Sequence, residues 1–194
     1  MSQPGIRLII GLGNPGPDYA QTRHNAGFWF VDRVVAASQG SFRAEAKFHG
    51  VLARVTIGSV DLRLLKPTTY MNHSGRAVAA VAHYFDIPAE QILVCYDELD
   101  LPPGRVKLKH GGGHAGHNGV RDSIDALGSR DFWRLRIGIG HPGEKSRVLG
   151  YVLGRPSQTD RKLIHDVIDD AVHALPDLVE GRYQLAVNRL HSQQ

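Results

Sequence analysis

The stretch Arg7-Leu-Ile-Ile-Gly11 is a short apolar run that ends in glycine, a pattern typical of a buried β-strand. Apolar side chains then recur at helical spacing from about Ala26 until Gly40, which predicts a helix. A strand that leads into a helix is the repeating unit of an α/β fold. We therefore interpret this stretch as the first strand of a sheet that helices cover.

The same alternation continues along the chain. Further strands are predicted at residues 51–57, 60–65, 92–95, 105–109 and 133–139, and the first two of these flank a Gly-Ser pair as an antiparallel hairpin. Helices are predicted from about residue 74 to 85, from about 118 to 127, and over two stretches within residues 157–191 that Pro176 separates. Residues 1–194 are thus predicted to form a single α/β domain, with a twisted mixed β-sheet flanked by helices.

The composition fits a globular protein. Of 194 residues, 42% are apolar and 22% are charged, which excludes collagen-like, mucin-like and disordered classes. The lone cysteine, Cys95, has no partner for an internal disulfide, and no apolar run reaches the roughly 18–20 residues that span a bilayer. The N-terminal segment has no signal-peptide pattern. We therefore expect a soluble, cytoplasmic protein without a membrane partner.

The positive charge is concentrated in one part of the chain. The formal net charge is +4, whereas residues 104–147 alone carry nine basic and four acidic side chains. Clustered lysine and arginine suit a polyanion, because they neutralise phosphates and release counterions. A solvated surface that only keeps the protein soluble is the alternative interpretation.

Polar residues follow several of the predicted strands. Ligands of α/β sheets bind at the carboxyl ends of the strands. The segments at residues 11–24, 66–72 and 96–100 occupy these positions. We therefore expect the chemistry of the protein to lie there.

The first of these segments, Gly11-Leu-Gly-Asn-Pro-Gly16, matches the glycine pattern of dinucleotide-binding proteins. That pattern requires a helix to begin at its last glycine, so that helix amides face a pyrophosphate. Pro15 and Pro17 instead predict a rigid loop, and the helix is expected only near Ala26. A nucleotide-dependent oxidoreductase is therefore a weak alternative.

Three histidines, His110, His114 and His117, lie close in sequence to Asp97 and Asp100. Metal sites that use histidine pairs hold them on a rigid helix at i, i+4 spacing. Here glycines separate the histidines, so we predict no bound metal.

The chain also lacks a convincing nucleophile for covalent catalysis. No G-x-S-x-G elbow occurs, and Cys95 lies in an apolar strand, where a thiol is usually inert. A hydrolase of this sequence would activate water directly. His24 is a suitable base at neutral pH, and Asp97 is a carboxylate that can fix its tautomer and stabilise the imidazolium.

Four of the five asparagines lie in glycine-punctuated segments: Asn14, Asn25, Asn72 and Asn118. Each is explained singly as a turn or cap residue. If they converge, their neutral amides could grip ester and peptide groups, because an amide both donates and accepts hydrogen bonds.

Six sequence blocks, which occur in the same order as in that family, together resemble the motifs of bacterial peptidyl-tRNA hydrolases. They are Gly11-Leu-Gly-Asn-Pro-Gly16, Thr22-Arg-His-Asn-Ala-Gly27, Lys66-Pro-Thr-Thr-Tyr-Met-Asn72, Tyr96-Asp-Glu-Leu-Asp-Leu-Pro-Pro-Gly104, Gly111-Gly-Gly-His-Ala-Gly-His-Asn-Gly119 and Arg134-Leu-Arg-Ile-Gly-Ile-Gly-His-Pro-Gly143. The resemblance implies hydrolysis of the ester between a peptide and the terminal ribose of tRNA. It also implies a monomer without cofactor or metal.

The resemblance assigns roles to individual positions. His24 resembles the general base, Asp97 the carboxylate that orients it, and Asn14 the residue that contacts the substrate near the scissile ester. Four residues resemble the walls of the family's site for the peptide and the tRNA end: Tyr19, Tyr70, Asn72 and Asn118. Lys109 and Arg136 resemble the pair that holds the 5′-phosphate of the tRNA in that family. Their neighbours in this pattern are Lys107 and Arg134.

An RNA-binding module without catalysis is the second class of function that the sequence leaves open. The basic stretch at residues 104–147 supports it equally well. Release of peptide from a blocked aminoacyl-tRNA separates the two, because a binding module would show no turnover.

Overall fold

The apolar runs of the sequence form one seven-stranded sheet in the computed structural model of the protein, which describes residues 3–192. In this part of the chain the strands are β1 (Leu8–Gly11), β2 (Arg43–Glu45), β3 (Gly50–Ile57), β4 (Val60–Pro67), β5 (Ile92–Glu98), β6 (Val106–His110) and β7 (Trp133–Gly138). The helices are α1 (Ala26–Ala37), α2 (Ser74–Tyr84), α3 (Asn118–Leu127), α4 (Val148–Val152), α5 (Gln158–His173), α6 (Leu175–Val179) and α7 (Tyr183–Ser192).

The sheet is mixed, as predicted. Its strand order is β2-β3-β4-β1-β5-β7-β6. Strand β1 pairs in parallel with β4 and β5, and β5 pairs in parallel with β7, whereas β2, β3 and β6 are antiparallel to their neighbours. The carboxyl ends of β1, β5 and β7 therefore meet at one edge of the sheet, which is where a ligand of an α/β protein is expected.

Both faces of the sheet are covered by apolar side chains. One core cluster joins β1 and β5 to α1 and to the C-terminal helices, and the second joins the other face to α2 and α3. All seven residues of β5 are buried as a result. None of the helices within residues 3–192 is both long and apolar enough to cross a membrane.

Two local predictions were wrong, and two short elements were not predicted. Strand β5 continues to Glu98 instead of ending at Cys95, because its last residues still pair with β7, so Asp97 lies inside a strand. Strand β2 and helix α4 were not predicted, since both are short and lack an apolar period. The C-terminal region forms three helices, and Pro176 lies in the first turn of α6, where proline removes no helical hydrogen bond.

Helix α1 approaches the sheet very closely at Gly27. A Cβ atom at Gly27 would lie 2.3 Å from the Cys95 carbonyl oxygen and 2.6 Å from the Leu12 nitrogen, both of them backbone atoms. This contact sets the position of the turn that precedes the helix. The glycine in the Arg-His-Asn-Ala-Gly block is therefore required by packing.

We predict that Gly27→Ala destabilises the fold by about 1–3 kcal/mol or more, because backbone atoms must move to admit the methyl group. Gly150→Ala is the matched control, since Gly150 lies in α4 and a Cβ there meets nothing within 4 Å. Urea unfolding of the two variants measures the difference. Equal stabilities would contradict the close approach of α1.

Candidate active site

A cleft of about 450 Å³ opens at the carboxyl end of β5. Its lining residues are His24, Asp97, Glu98, Leu99, Asp100, Ala115, Gly116, His117, Asn118, His141, Lys145, Val148, Leu149 and Val152. The cleft thus joins the end of the central strand to the start of α3 and to α4. Three of the sequence-predicted site residues, His24, Asp97 and Asn118, line it.

Two imidazoles hold the Asp97 carboxylate at the floor of this cleft. His24 Nδ1 lies 2.9 Å from Asp97 Oδ2, and His117 Nε2 lies 2.9 Å from Asp97 Oδ1. The centroids of the two histidine rings are 5.0 Å apart. Each carboxylate oxygen therefore accepts one hydrogen bond from a different histidine.

The burial of Asp97 makes these two bonds necessary. Its side chain is 2% exposed, and burial alone raises the pKa of a carboxyl. The charges and hydrogen bonds of His24 and His117 outweigh this effect and hold the pKa of Asp97 well below its usual value. Asp97 is therefore ionised throughout the neutral pH range.

His24 lies in a short 3-10 turn, Arg23–Asn25, that returns the chain to β5. Burial lowers the pKa of His24, but the Asp97 carboxylate acts in the opposite direction and the net effect is a pKa above 6.5. Nδ1 is engaged with Asp97. Among residues 3–192 no hydrogen-bond partner engages Nε2, so this nitrogen is available to a molecule in the cleft.

His117 has no such available nitrogen, and sequence reasoning did not assign it a role. It is the N-cap of α3, where its Nδ1 accepts a hydrogen bond from the Val120 N–H at 3.4 Å. Nε2 must then carry the proton that is donated to Asp97, which fixes the neutral tautomer. The signal in the sequence was its place directly before a predicted helix, three residues ahead of Val120.

The ligand atoms of His24, Asp97 and His117 lie within 4.8 Å of one another, which also makes them the candidate metal group within residues 3–192. However, the nitrogen to oxygen distances of 2.9 Å are those of hydrogen bonds. A metal would have to replace both protons that make these bonds. The cluster of His110, His114 and His117 considered from the sequence does not form, because His110 packs against Trp133 and His114 accepts from the Gly116 N–H.

Asn14 lies next to this site but does not line the cleft. The Asn25 side chain binds the backbone of Asn14. Asn25 Oδ1 accepts from the Asn14 N–H at 2.8 Å, and Asn25 Nδ2 donates to the Asn14 carbonyl at 2.9 Å. Asn14 Oδ1 in turn accepts from the Met71 N–H at 2.7 Å. These bonds leave the Asn14 side-chain NH₂ as a donor without a partner in residues 3–192, and they give Asn25 a role that the sequence did not reveal.

The other predicted wall residues lie on the segments that border Asn14. Tyr19 and Tyr70 contact each other edge to face, with centroids 6.3 Å apart, and Tyr70 is 59% exposed. Asn72 is exposed in the turn Met71–His73, outside the lining of the cleft. This turn adjoins α3, because a Cβ on Gly119 would lie 2.5 Å from Met71 Sδ.

The four predicted phosphate-binding residues share one face of β6 and β7. Lys107 pairs with Arg136 and Lys109 with Arg134 across the two strands. Lys107 and Lys109 are exposed, and Arg136 donates to Glu98 Oε1 with its Nε at 2.7 Å. Arg134 is 1% exposed, and this burial argues against the predicted contact with phosphate.

Helix α4 forms an apolar wall opposite the histidines, with Val148, Leu149 and Val152 in the cleft. Arg23 ties this helix to the turn of His24. Its backbone N–H donates to the Gly154 carbonyl at 2.9 Å, and its guanidinium donates to the Tyr151 carbonyl at 2.9 Å. The cleft is therefore polar on the strand side and apolar on the helix side.

Comparison with known proteins identifies a family with this architecture. The family model described as peptidyl-tRNA hydrolase matches residues 8–194. Proteins named peptidyl-tRNA hydrolase from Methylobacillus flagellatus and Halorhodospira halophila are each 55% identical to this chain. The alignments cover 97% of both chains for the first and 96% of both for the second.

Solved structures agree with this similarity. The structure of peptidyl-tRNA hydrolase from Acinetobacter baumannii superposes with a TM-score of 0.94 at 47% identity, covering 98% of this chain and 97% of that chain. A complex of a peptidyl-tRNA hydrolase with N-propanol superposes with a TM-score of 0.93 at 48% identity, covering 95% of this chain and 94% of the other.

Proposed function

The chain belongs to the peptidyl-tRNA hydrolase family, and from this premise we propose how its cleft carries out the hydrolysis of peptidyl-tRNA. The bond cleaved is the carboxylic ester between the peptide and the 3′-terminal ribose of the tRNA. The observation that carries the proposal is the hydrogen bond of 2.9 Å between His24 Nδ1 and Asp97 Oδ2. It leaves the second nitrogen of His24 open to the cleft.

In this mechanism His24 Nε2 takes a proton from a water molecule, whose oxygen attacks the ester carbonyl carbon. As the tetrahedral intermediate collapses, the bond to the ribose oxygen breaks and His24 returns the proton to that oxygen, which releases the tRNA hydroxyl and the peptide carboxylate. Asp97 keeps the proton of His24 on Nδ1, so that Nε2 carries the lone pair, and it stabilises the imidazolium that forms. His117 acts on Asp97 and not on the substrate. The hydrogen bond from His117 holds Asp97 Oδ1 in place and so orients Oδ2, the oxygen that bonds to His24.

Neutral amides are proposed to hold the substrate beside this base. The side-chain NH₂ of Asn14 is free to donate, because Asn14 Oδ1 is occupied by the Met71 N–H. Asn72 is exposed in the turn Met71–His73 and Asn118 is exposed at the start of α3. Tyr19 and Tyr70 form an aromatic contact that suits the wall of a peptide site. Donors aimed at the ester carbonyl would stabilise the oxyanion of the transition state.

We propose direct attack by water without a covalent intermediate. An ester of this kind is already activated, so a positioned base and oxyanion donors can suffice. The one thiol of the chain belongs to Cys95, which is fully buried in β5. Burial raises the pKa of Cys95 well above its usual value, so it carries no thiolate at neutral pH.

The tRNA is proposed to contact the exposed face of β6 and β7. Lys107 and Lys109 are exposed there, and Glu98 holds the guanidinium of Arg136 on the same face. We propose that Lys109 and Arg136 bind the 5′-phosphate at the acceptor end. The protein is proposed to act as a monomer, as the family resemblance implies.

We expect His24→Ala to lower kcat on N-acetyl-aminoacyl-tRNA by about 10²–10⁴-fold, the usual contribution of a general base. His83→Ala is the control, because His83 is exposed on α2 away from the cleft. Turnover of the His24 variant near the wild-type rate would exclude His24 as the base. Tight tRNA binding without turnover by the wild type would instead favour an RNA-binding module.

The pH profile tests the pairing of His24 with Asp97. Because the base must be neutral and its pKa lies above 6.5, the acid limb of kcat/KM is expected to be centred above pH 6.5. Asp97→Asn removes the charge that raises this pKa, so its acid limb should move to lower pH while its maximal rate falls. An unchanged limb in this variant would contradict the pairing.

The salt dependence of tRNA affinity tests the phosphate contacts. Lys109→Ala and Arg136→Ala are each expected to weaken binding and to reduce the slope of log K against log salt by about one. Lys162→Ala is the control, since Lys162 is an exposed lysine on α5 that pairs with Asp166. Wild-type slopes in the first two variants would remove them from the interface.

A further inference from the structure

Arg134 is a buried cation that the proposed mechanism does not use. It is 1% exposed and is among the largest fully buried side chains of residues 3–192. No carboxylate pairs with it in that part of the chain. Burying a charge is costly unless hydrogen bonds compensate it, so the partners of this guanidinium indicate what it does.

Those partners are backbone carbonyl groups, and the two shortest bonds go to one loop. We call residues 111–117 the glycine loop. The guanidinium donates to the Gly112 carbonyl at 2.6 Å and to the Gly113 carbonyl, and more weakly to the Arg130 carbonyl at 3.4 Å. The ring of Phe132 lies 4.4 Å from its central carbon and supports it from one side.

The glycine loop needs such an anchor. Its backbone has positive φ at Gly111 (+68°), Gly112 (+107°), Ala115 (+49°) and Gly116 (+84°), so it follows neither a strand nor a helix. Glycine also loses the most conformational entropy when it is ordered. Within residues 3–192 the loop has three backbone hydrogen bonds: Gly111 N–H to the Phe132 carbonyl, His117 N–H to the His114 carbonyl, and Arg121 N–H to the His117 carbonyl.

The end of the glycine loop is His117, which holds Asp97. Arg134 also lies near Tyr96, the aromatic side chain that packs on the His117 ring. The Tyr96 ring packs 5.0 Å from the His117 ring, and although burial raises the pKa of the Tyr96 hydroxyl, the nearby Arg134 guanidinium opposes that rise. Arg134 thus binds the loop that carries His117 and lies near Tyr96, whose ring packs on His117.

We propose that Arg134 is a positioning residue, whose guanidinium clamps the glycine loop so that His117 keeps the Asp97 carboxylate in the orientation that His24 requires. This inference rests on the proposed roles of His24 and Asp97. It replaces the sequence-based prediction that Arg134 is a neighbour of the phosphate site. A clamp should affect kcat, whereas a phosphate contact should affect KM and the salt dependence of binding.

The first test is a double-mutant cycle between Arg134→Met and His117→Ala, measured as kcat on N-acetyl-aminoacyl-tRNA. Arg134→Met alone is expected to lower kcat by about 10–100-fold, as misplacement of catalytic groups does, with a smaller change in KM. In the His117→Ala background the same substitution should change kcat by less than about twofold, because its route of action is already lost. Equal losses in both backgrounds would overturn the proposal.

Two further variants separate the clamp from general effects. Arg130→Met removes a neighbouring exposed cation but leaves the carbonyl that Arg134 contacts, so wild-type kcat is expected. Arg134→Lys keeps the charge but loses the planar fork, and its kcat should fall between those of wild type and Arg134→Met. A kcat of the lysine variant equal to that of wild type would show that charge alone suffices and would overturn the clamp.

The second test does not depend on activity. Amide hydrogen exchange of Arg134→Lys should show faster exchange at Gly111 and His117, while the amides of β5 stay protected. Unchanged exchange in the glycine loop, or a uniform loss over the whole sheet, would contradict local clamping. If His24→Ala proved fully active, the proposed function would fail, yet this exchange experiment would still decide whether Arg134 holds the loop.

Discussion

The structure around the cleft depends on one constraint, which is a carboxylate placed inside a fully buried strand. Asp97 belongs to β5, whose seven residues are all buried, and an uncompensated charge there costs several kcal/mol. Two imidazoles from distant parts of the chain compensate it. The turn before α1 and the glycine loop before α3 must therefore both return to the carboxyl end of β5.

The sequence predicts much of this arrangement because strand and helix periods are local. The central strands, α1 to α3 and the hairpin of β3 and β4 follow from apolar spacing. The segment after β1 carries His24 as predicted, whereas Asp97 lies within the last residues of β5. Strand β5 extends beyond its apolar run because β7 pairs with it, and that pairing is not visible in a local pattern. His117 was likewise overlooked, since its glycine-rich surroundings predict a floppy loop. The hydrogen bonds to His117 and to its loop come from Asp97 on β5 and Arg134 on β7, two different strands.

Net charge along the sequence overstates the charge available on the surface. The basic stretch at residues 104–147 contains four cationic side chains on one face of β6 and β7, yet they have different environments. Lys107 and Lys109 are exposed, Arg136 is paired with Glu98, and Arg134 is buried against carbonyl groups. The alternation of side chains along β6 and β7 places these four cations on one face of the sheet. Which of them are exposed to solvent depends on the glycine loop that packs on that face. A charge count therefore locates the electrostatic surface without identifying its members.

The two histidines on Asp97 are chemically alike, and the backbone of α3 distinguishes them. His117 uses Nδ1 to accept the Val120 N–H, so its remaining nitrogen must donate to Asp97 and its tautomer is fixed. Within the described residues 3–192 the His24 ring makes one hydrogen bond, through Nδ1, and Nε2 is available to the cleft. A proton taken from water can therefore be accepted at His24 without breaking a protein hydrogen bond. The same proton at His117 would displace the helix cap, so the start of α3 favours His24 as the base.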